Sequence, residues 1–317
     1  MQKQFYNKLN SNSKSIIALC FAIAFAFTLS GCKQEEEGKI NSPKYSSTPT
    51  KQTIPVFHFT VCALYNPNRL VILFKPLIDY LNNHIDGAQI ILEASGSFTN
   101  FENKYKARDP EFILPNPWET LQAIKSGYTV IASAGDPKDF KGLLIVRKDS
   151  GVLNPMDLKG KTVSFSWPTS LAACIMPQYY LQNHGLDINK EITNIYVGSP
   201  ESSIMNVYLK NSIAGGAWPP AWRDFQKTHP NESSQMKVIW ETESLINNSV
   251  MARNDVDINV KNQVSKCLLE LDKTPEGKKI LKGIEIAYFK LATNKDYNVV
   301  QTYTDQFEKE VRKIDIK

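Results

Sequence analysis

From Val56 onward, short apolar runs of strand length alternate with stretches that repeat apolar residues at helical spacing. This alternation restricts the chain to α/β architectures. Phe57, Phe59, Val61 and Ala63 alternate with His58, Thr60 and Cys62, as a half-buried strand requires. Leu70, Leu73, Phe74, Leu77, Ile78, Leu81 and Ile85 then share one helical face, which Pro76 is expected to kink. Further strands are expected over 88–93, 111–114, 129–134, 143–147, 162–165, 192–197, 213–218, 237–240 and 249–253. Ser199-Pro200-Glu201 reads as a helix start with a cap, a proline at the first helical position and an early acid. Another helix is expected over 177–184, stopped by Gly185, and three more around 264–271, 275–282 and 297–311. Largely parallel sheets follow from this order. In such sheets ligands sit beyond the carboxyl ends of strands. That selects the loops after Ala63, Leu114, Phe165, Val197 and Trp218.

The start of the chain carries a different signal. Lys3, Lys8 and Lys14 precede an apolar run from Ile16 to Leu29, too short for an ordinary transmembrane helix. Basic start, short apolar centre and small residues suit a secretory leader. Leu29-Ser30-Gly31-Cys32 resembles the lipobox of bacterial lipoproteins, which implies cleavage before Cys32 and lipid attached there. Residues 34–53, rich in Glu, Ser, Thr, Pro and Lys, cannot bury enough apolar surface to order themselves and read as a tether. Residues 1–31 carry three lysines and no acids, so the remainder holds 34 basic and 32 acidic residues. A net charge of +2 with no basic stripe gives no reason to expect nucleic acid. Cys62, Cys174 and Cys267 show neither metal-ligand spacing nor a readable disulfide pattern. His58, His84, His184 and His229 are scattered, and no G-x-S-x-G, P-loop or H-E-x-x-H occurs. No metal, no cofactor and no catalytic set is therefore expected.

Several ordered pieces resemble the phosphate/phosphite/phosphonate-binding proteins of ABC importers, which have the type II periplasmic binding fold. They are Lys75-Pro76-Leu77-Ile78-Asp79-Tyr80-Leu81 and Phe112-Ile113-Leu114-Pro115-Asn116-Pro117-Trp118. Ile145-Val146-Arg147-Lys148-Asp149-Ser150-Gly151 and Asp157-Leu158-Lys159-Gly160-Lys161-Thr162-Val163 follow. Tyr196-Val197-Gly198-Ser199 and Thr274-Pro275-Glu276-Gly277 complete the order. The likeness covers about residues 56–288. It implies an α/β fold of two lobes with the ligand in the cleft between them. Residues 54–146 and 246–317 would form the first lobe and residues 147–245 the second. It also implies a monomer that delivers a small polar or anionic molecule to an ABC permease, held at a membrane through its N-terminal lipid. A sensor lipoprotein reporting to a membrane kinase is the alternative.

The family's phosphonate-binding members usually show Pro-x-Ser-Thr-Ser-Gly after the strand at 162–165. Here the matching run is Pro168-Thr169-Ser170-Leu171-Ala172-Ala173. Two hydroxyls are gone, each worth roughly 1.5–3 kcal/mol as a hydrogen bond to a charged ligand. The helix start, Thr169 and Ser170 remain to receive an anion. Other candidate contacts are Tyr65 and Asn66 after the first strand, and Asn116 and Trp118 after the strand at 111–114. In the run Ala214-Gly215-Gly216-Ala217-Trp218-Pro219-Pro220-Ala221-Trp222-Arg223, the glycines mark close approach of a ligand or another backbone. The two prolines read as stiffening a loop between two tryptophans. Trp218 is the strongest candidate there, with Trp222 and Arg223 behind it. Ser199 and Glu201 either contact ligand or simply cap their helix. Asn247 and Asn248 lie near the return crossing, and Asn247 is a candidate contact.

Overall fold

A computed structural model describes residues 54–315, so the expected leader, Cys32 and the whole tether lie outside the described residues. In chain order the strands are β1 (Val56–Val61), β2 (Gln89–Ala94), β3 (Phe112–Leu114), β4 (Tyr128–Ala134), β5 (Leu143–Arg147) and β6 (Thr162–Phe165). They continue as β7 (Thr193–Tyr196), β8 (Ala214–Ala217), β9 (Met236–Glu241), β10 (Ser249–Arg253) and β11 (Phe289–Lys290). One sheet has the order β11-β4-β10-β3-β1-β2 and the other β7-β6-β8-β5-β9. The chain therefore passes from the first sheet to the second between β4 and β5, and returns between β9 and β10. Two lobes result. The crossing is complete by Leu143, a few residues before the boundary expected after residue 146, because β5 already pairs with β8 and β9.

Both sheets are mixed rather than largely parallel. β2, β1 and β3 run parallel, as do β7, β6 and β8. β10 is antiparallel to both β3 and β4, and β5 to both β8 and β9. A strand that arrives from the opposite lobe enters its sheet from the other end, and this reverses its direction.

The helices fill the connections. They are α1 (Pro67–His84), α2 (Phe98–Lys106), α3 (Pro117–Lys125), α4 (Met176–Asn183), α5 (Pro200–Tyr208) and α6 (Pro219–Thr228). α7 (Pro230–Ser234), α8 (Ile258–Glu270), α9 (Pro275–Gly283) and α10 (Asn298–Glu310) follow. α1 buries Leu70, Leu73, Phe74, Leu77, Ile78 and Leu81 against the first sheet. It continues through Pro76, which lies on the exposed face where water can satisfy the carbonyl that loses its partner.

α6 corrects the reading of Pro219-Pro220 as a loop. Both prolines occupy the first helical positions, where a backbone N–H has no intrahelical partner to lose, and Trp218 is the residue before them. The glycines of β8 serve backbone approach. A Cβ on Gly216 would stand 2.5 Å from the Ala173 carbonyl oxygen, and one on Gly215 would stand 2.9 Å from that of Ser203. The strand is thus bare on both faces so that α5 and the turn after β6 can close on it.

From the last turn of α10 onward the chain leaves the first lobe and touches the second. The Arg312 guanidinium donates to the Gln178 side chain at 2.9 Å and to the Pro168 carbonyl at 2.9 Å. The Tyr179 hydroxyl donates to Glu310 at 2.7 Å.

Candidate functional site

The two lobes are closed on each other, and the residues between them come from the loops that the strand order selects. Leu64 follows β1, Asn116 follows β3, and Ser170, Leu171, Ala172 and Ala173 follow β6. Pro200 opens α5 after β7, and Trp218 follows β8. Phe140 and Asn248 come from the two crossings, and Phe98 opens α2. Together they line a cavity of about 20 Å³, room for about one water molecule. A second cavity of about 10 Å³ adjoins it across Leu64, Trp218 and Asn248 and is bounded by Tyr65, Gly135 and Asn247. A larger depression of about 330 Å³ opens around Arg147, Lys161 and Lys210. It lies at the amino ends of β6 and β8, away from the ends where α/β sheets bind ligands.

Local geometry explains each position. Asn116 is the cap of α3: its side-chain oxygen accepts from the N–H groups of Trp118 and Glu119, and Glu119 returns a bond to the Asn116 N–H at 2.9 Å. That capping box leaves the amide nitrogen free to donate across the cleft to the Thr169 carbonyl at 3.4 Å. After β6 the chain makes a π-helical turn over Leu171–Ile175, which runs into α4 with Pro177 in its first turn. Ser170 precedes that turn and spends no side-chain bond on capping it, so its hydroxyl remains available at the cavity wall. Trp218 meets Phe140 edge-to-face at 6.0 Å, joining the second lobe to the first crossing.

The remaining candidates fall elsewhere. Asn66 caps α1 and reaches across to Glu201 at 3.4 Å. Trp118 is 7% exposed and packs into the core of the first lobe. Ser199 caps α5 through the Ser202 N–H at 3.1 Å. Trp222 packs on Phe225 inside the second lobe. Asn247 donates to the Asp136 carbonyl at 3.0 Å and accepts from the Asn248 N–H at 2.8 Å, which shapes the return crossing. Asn248 is 3% exposed, its side-chain oxygen has no partner, and it borders both cavities. Leu64, Phe98 and Phe140 carried no signal beyond their apolarity. Their place in the wall follows only from the tertiary fold.

Thr169 holds an unexpected partner. Its hydroxyl donates at 2.8 Å to the carboxyl of Glu102 on α2, which is fully buried. Burial holds the Glu102 carboxyl above its ordinary range, against the opposing pulls of the Thr169 bond and of Lys106. Burial raises buried Glu119 further, reinforced by the nearby Glu102 charge.

Basic side chains near the cleft are engaged by acids. Arg69 pairs with Asp224 at 2.6 Å. Arg223 grips Asp139 through two bonds of 3.0 Å and Glu285 at 2.8 Å, and Lys227 also bonds Glu285. Burial raises the Glu285 carboxyl, but Arg223 and Lys227 outweigh it and hold it low. No lysine, arginine or histidine lines either cavity among the described residues. Nor do the described residues contain a cluster of His, Cys, Asp or Glu able to hold a metal ion, or a helix long and apolar enough to cross a membrane.

Residues 59–297 match the family described as "ABC transporter, phosphonate, periplasmic substrate-binding protein". The chain belongs to that family. A curated relative, the probable ABC transporter phosphite-binding protein PhnD1 of Prochlorococcus marinus (strain MIT 9301), is 24% identical over 185 residues. That match takes in 54% of this chain and 62% of the relative. The solved structure of PhnD1 from the same organism, in complex with methylphosphonate, superposes with a TM-score of 0.72 at 20% identity. It covers 80% of this chain and 98% of that one. A binding-protein component of a phosphonate ABC transporter from Pseudomonas aeruginosa gives 0.73 at 17% identity, covering 81% and 87%. The family's two-lobed type II fold is therefore the fold of this chain.

Proposed function

We propose that the chain is the solute-binding lipoprotein of an ABC importer. It closes on a small polar or anionic ligand, phosphonate-like or a related organic anion, and presents it to a permease. The observation that carries this reading is the convergence of all five strand-end loops and both crossings on one interlobe cavity. Binding, not bond making, is the work. A ligand that touches both lobes stabilises the closed arrangement over the open one, and that difference is what a permease can read.

Family membership and the methylphosphonate complex of a relative support the ligand class. Within this chain the contacts proposed for it are the N–H groups of the turn at 171–175, the Ser170 hydroxyl, Asn116, Asn248 and the Trp218 ring. Tyr65 and Asn247 shape the adjoining space. Leu171 and Ala172, in place of two hydroxyls, make the binding wall more apolar and favour an organic substituent over bare phosphate. The anchor is assigned to Cys32 by the lipobox pattern, which places the domain on the extracytoplasmic side.

Thermal-shift and scattering measurements against a metabolite panel test the reading. A ligand should raise the melting temperature, and Trp218→Ala should weaken its binding. Unchanged affinity in Trp218→Ala would move the site out of this cleft. Loss of membrane retention in Cys32→Ala tests the anchor separately.

A further inference from the structure

We propose that Glu102 is a specificity-determining residue of this cleft, admitting an oxyanion only when the pair of Glu102 and ligand holds a proton between them. The inference rests on the cleft reading above and names the ligand's protonation state as the selected feature.

Phe98, which lines the cavity, and Glu102 lie one turn apart on the same face of α2. Glu102 is not itself in the wall, but its bond to Thr169 sets it next to Ser170, which is. One carboxyl oxygen accepts from Thr169, a bond that crosses from the first lobe to the second. The other is buried and has no hydrogen-bond partner. Lys106, one turn further along α2 and half exposed, approaches it only to 3.9 Å. The other groups facing this corner are Glu119 from α3, with an unpartnered carboxyl oxygen, and Tyr105 from α2, with an unpartnered hydroxyl. Cys62 lies beside Glu119. The turn that would receive an anion thus closes against two buried acids.

An oxyanion with no proton would set oxygen against oxygen at this corner, adding a buried negative charge without a hydrogen between them. A ligand oxygen that bears a proton instead supplies the donor that Glu102 lacks. Phosphonate monoanions carry such a proton in the neutral range, and sulfonates do not. Glu102 can also bring the proton itself in acid, and its raised carboxyl makes that easier.

Methylphosphonate and methanesulfonate match in size and shape and differ in this proton. Calorimetric titration of the full chain with each, from pH 5 to pH 8, tests the filter. At neutral pH the wild type should prefer methylphosphonate by more than about tenfold, the scale of an unmet bond to a charged group. Methanesulfonate binding should strengthen as the pH falls. Glu102→Gln keeps an acceptor for Thr169 and adds an N–H donor. It should bring the two ligands to within about threefold and flatten the pH dependence of methanesulfonate binding, since it removes that same term. Equal neutral-pH affinities in the wild type, or a preference that persists in Glu102→Gln, would overturn the filter alone. Failure of both proteins to bind either ligand would overturn the oxyanion reading of the cleft together with it. If Glu102→Gln does not fold, the wild-type ligand pair and its pH profile decide the matter.

Discussion

Arg69 of α1 and Asp224 of α6 form an ion pair of 2.6 Å that spans the two lobes on one side of the closed cleft. The carboxylate is the more buried partner and the guanidinium is about one-third exposed, so solvent weakens the pair. Its contribution to closure should be about 1 kcal/mol. Arg69→Ala should therefore weaken ligand affinity several-fold and enlarge the scattering-derived radius of the ligand-free protein. High salt should shrink the difference between variant and wild type. A double-mutant cycle with Asp224→Asn checks the assignment: independent effects of the two substitutions would mean that the pair does not hold the lobes.

Arg312 holds the turn after β6 through the Pro168 carbonyl, and none of its hydrogen-bond partners lines the cavity. Arg312→Ala leaves that buried-side carbonyl and the Gln178 side chain without a charged donor. A loss of about 1.5–3 kcal/mol in stability is expected, together with weaker ligand binding. Denaturant midpoints and titration measure the two effects, and intact affinity at reduced stability would show that the turn keeps its shape unaided.

Gly216→Ala should be harmful although the residue sits in regular strand. The added Cβ would meet the Ala173 carbonyl oxygen at 2.5 Å and a Phe165 ring carbon at 2.7 Å. Relief requires moving the turn after β6, at about 1–3 kcal/mol. Urea denaturation should show that loss, and affinity should fall with it because Ala173 lines the cavity.

Glu119 gives stability a predictable pH slope. Burial first, then the Glu102 charge, raises its carboxyl well above the ordinary value, so the folded state binds a proton that the unfolded chain releases more readily. Its contribution is full below the unfolded carboxyl pKa and is lost as the pH rises through the folded one. Melting temperature should thus decline across that rising window in the wild type. Glu119→Gln, which can still accept from the Asn116 N–H, should flatten the decline. A parallel decline in the variant would assign the slope to another group.

β5, β6 and β10 were legible to the residue because apolar and β-branched side chains fill them and turn residues bound them. The loops that meet at the cavity were legible as well, since strand order alone picks them out. β11 was not, because two residues offer no periodicity. Nor was α6, whose paired prolines carry the same local signature in a rigid loop as in a helical first turn. Thr169 reads as an anion donor within its own segment. Its actual acceptor lies 67 residues earlier, and a pairing at that distance leaves no trace in local pattern. Asn66 and Ser199 show the same ambiguity: one hydroxyl or amide before a helix suits a cap and a ligand contact equally.

Phe140 and Asn248 belong to the two crossing segments and also line the cavity. The backbone that must rotate when the lobes part is therefore part of the wall that the proposed ligand would touch. For such a ligand, occupancy and hinge angle would share the same atoms, with no relay between them. A molecule of the wrong bulk would wedge the axle itself, so steric selection and the opening state presented outward become one measurement made at one place.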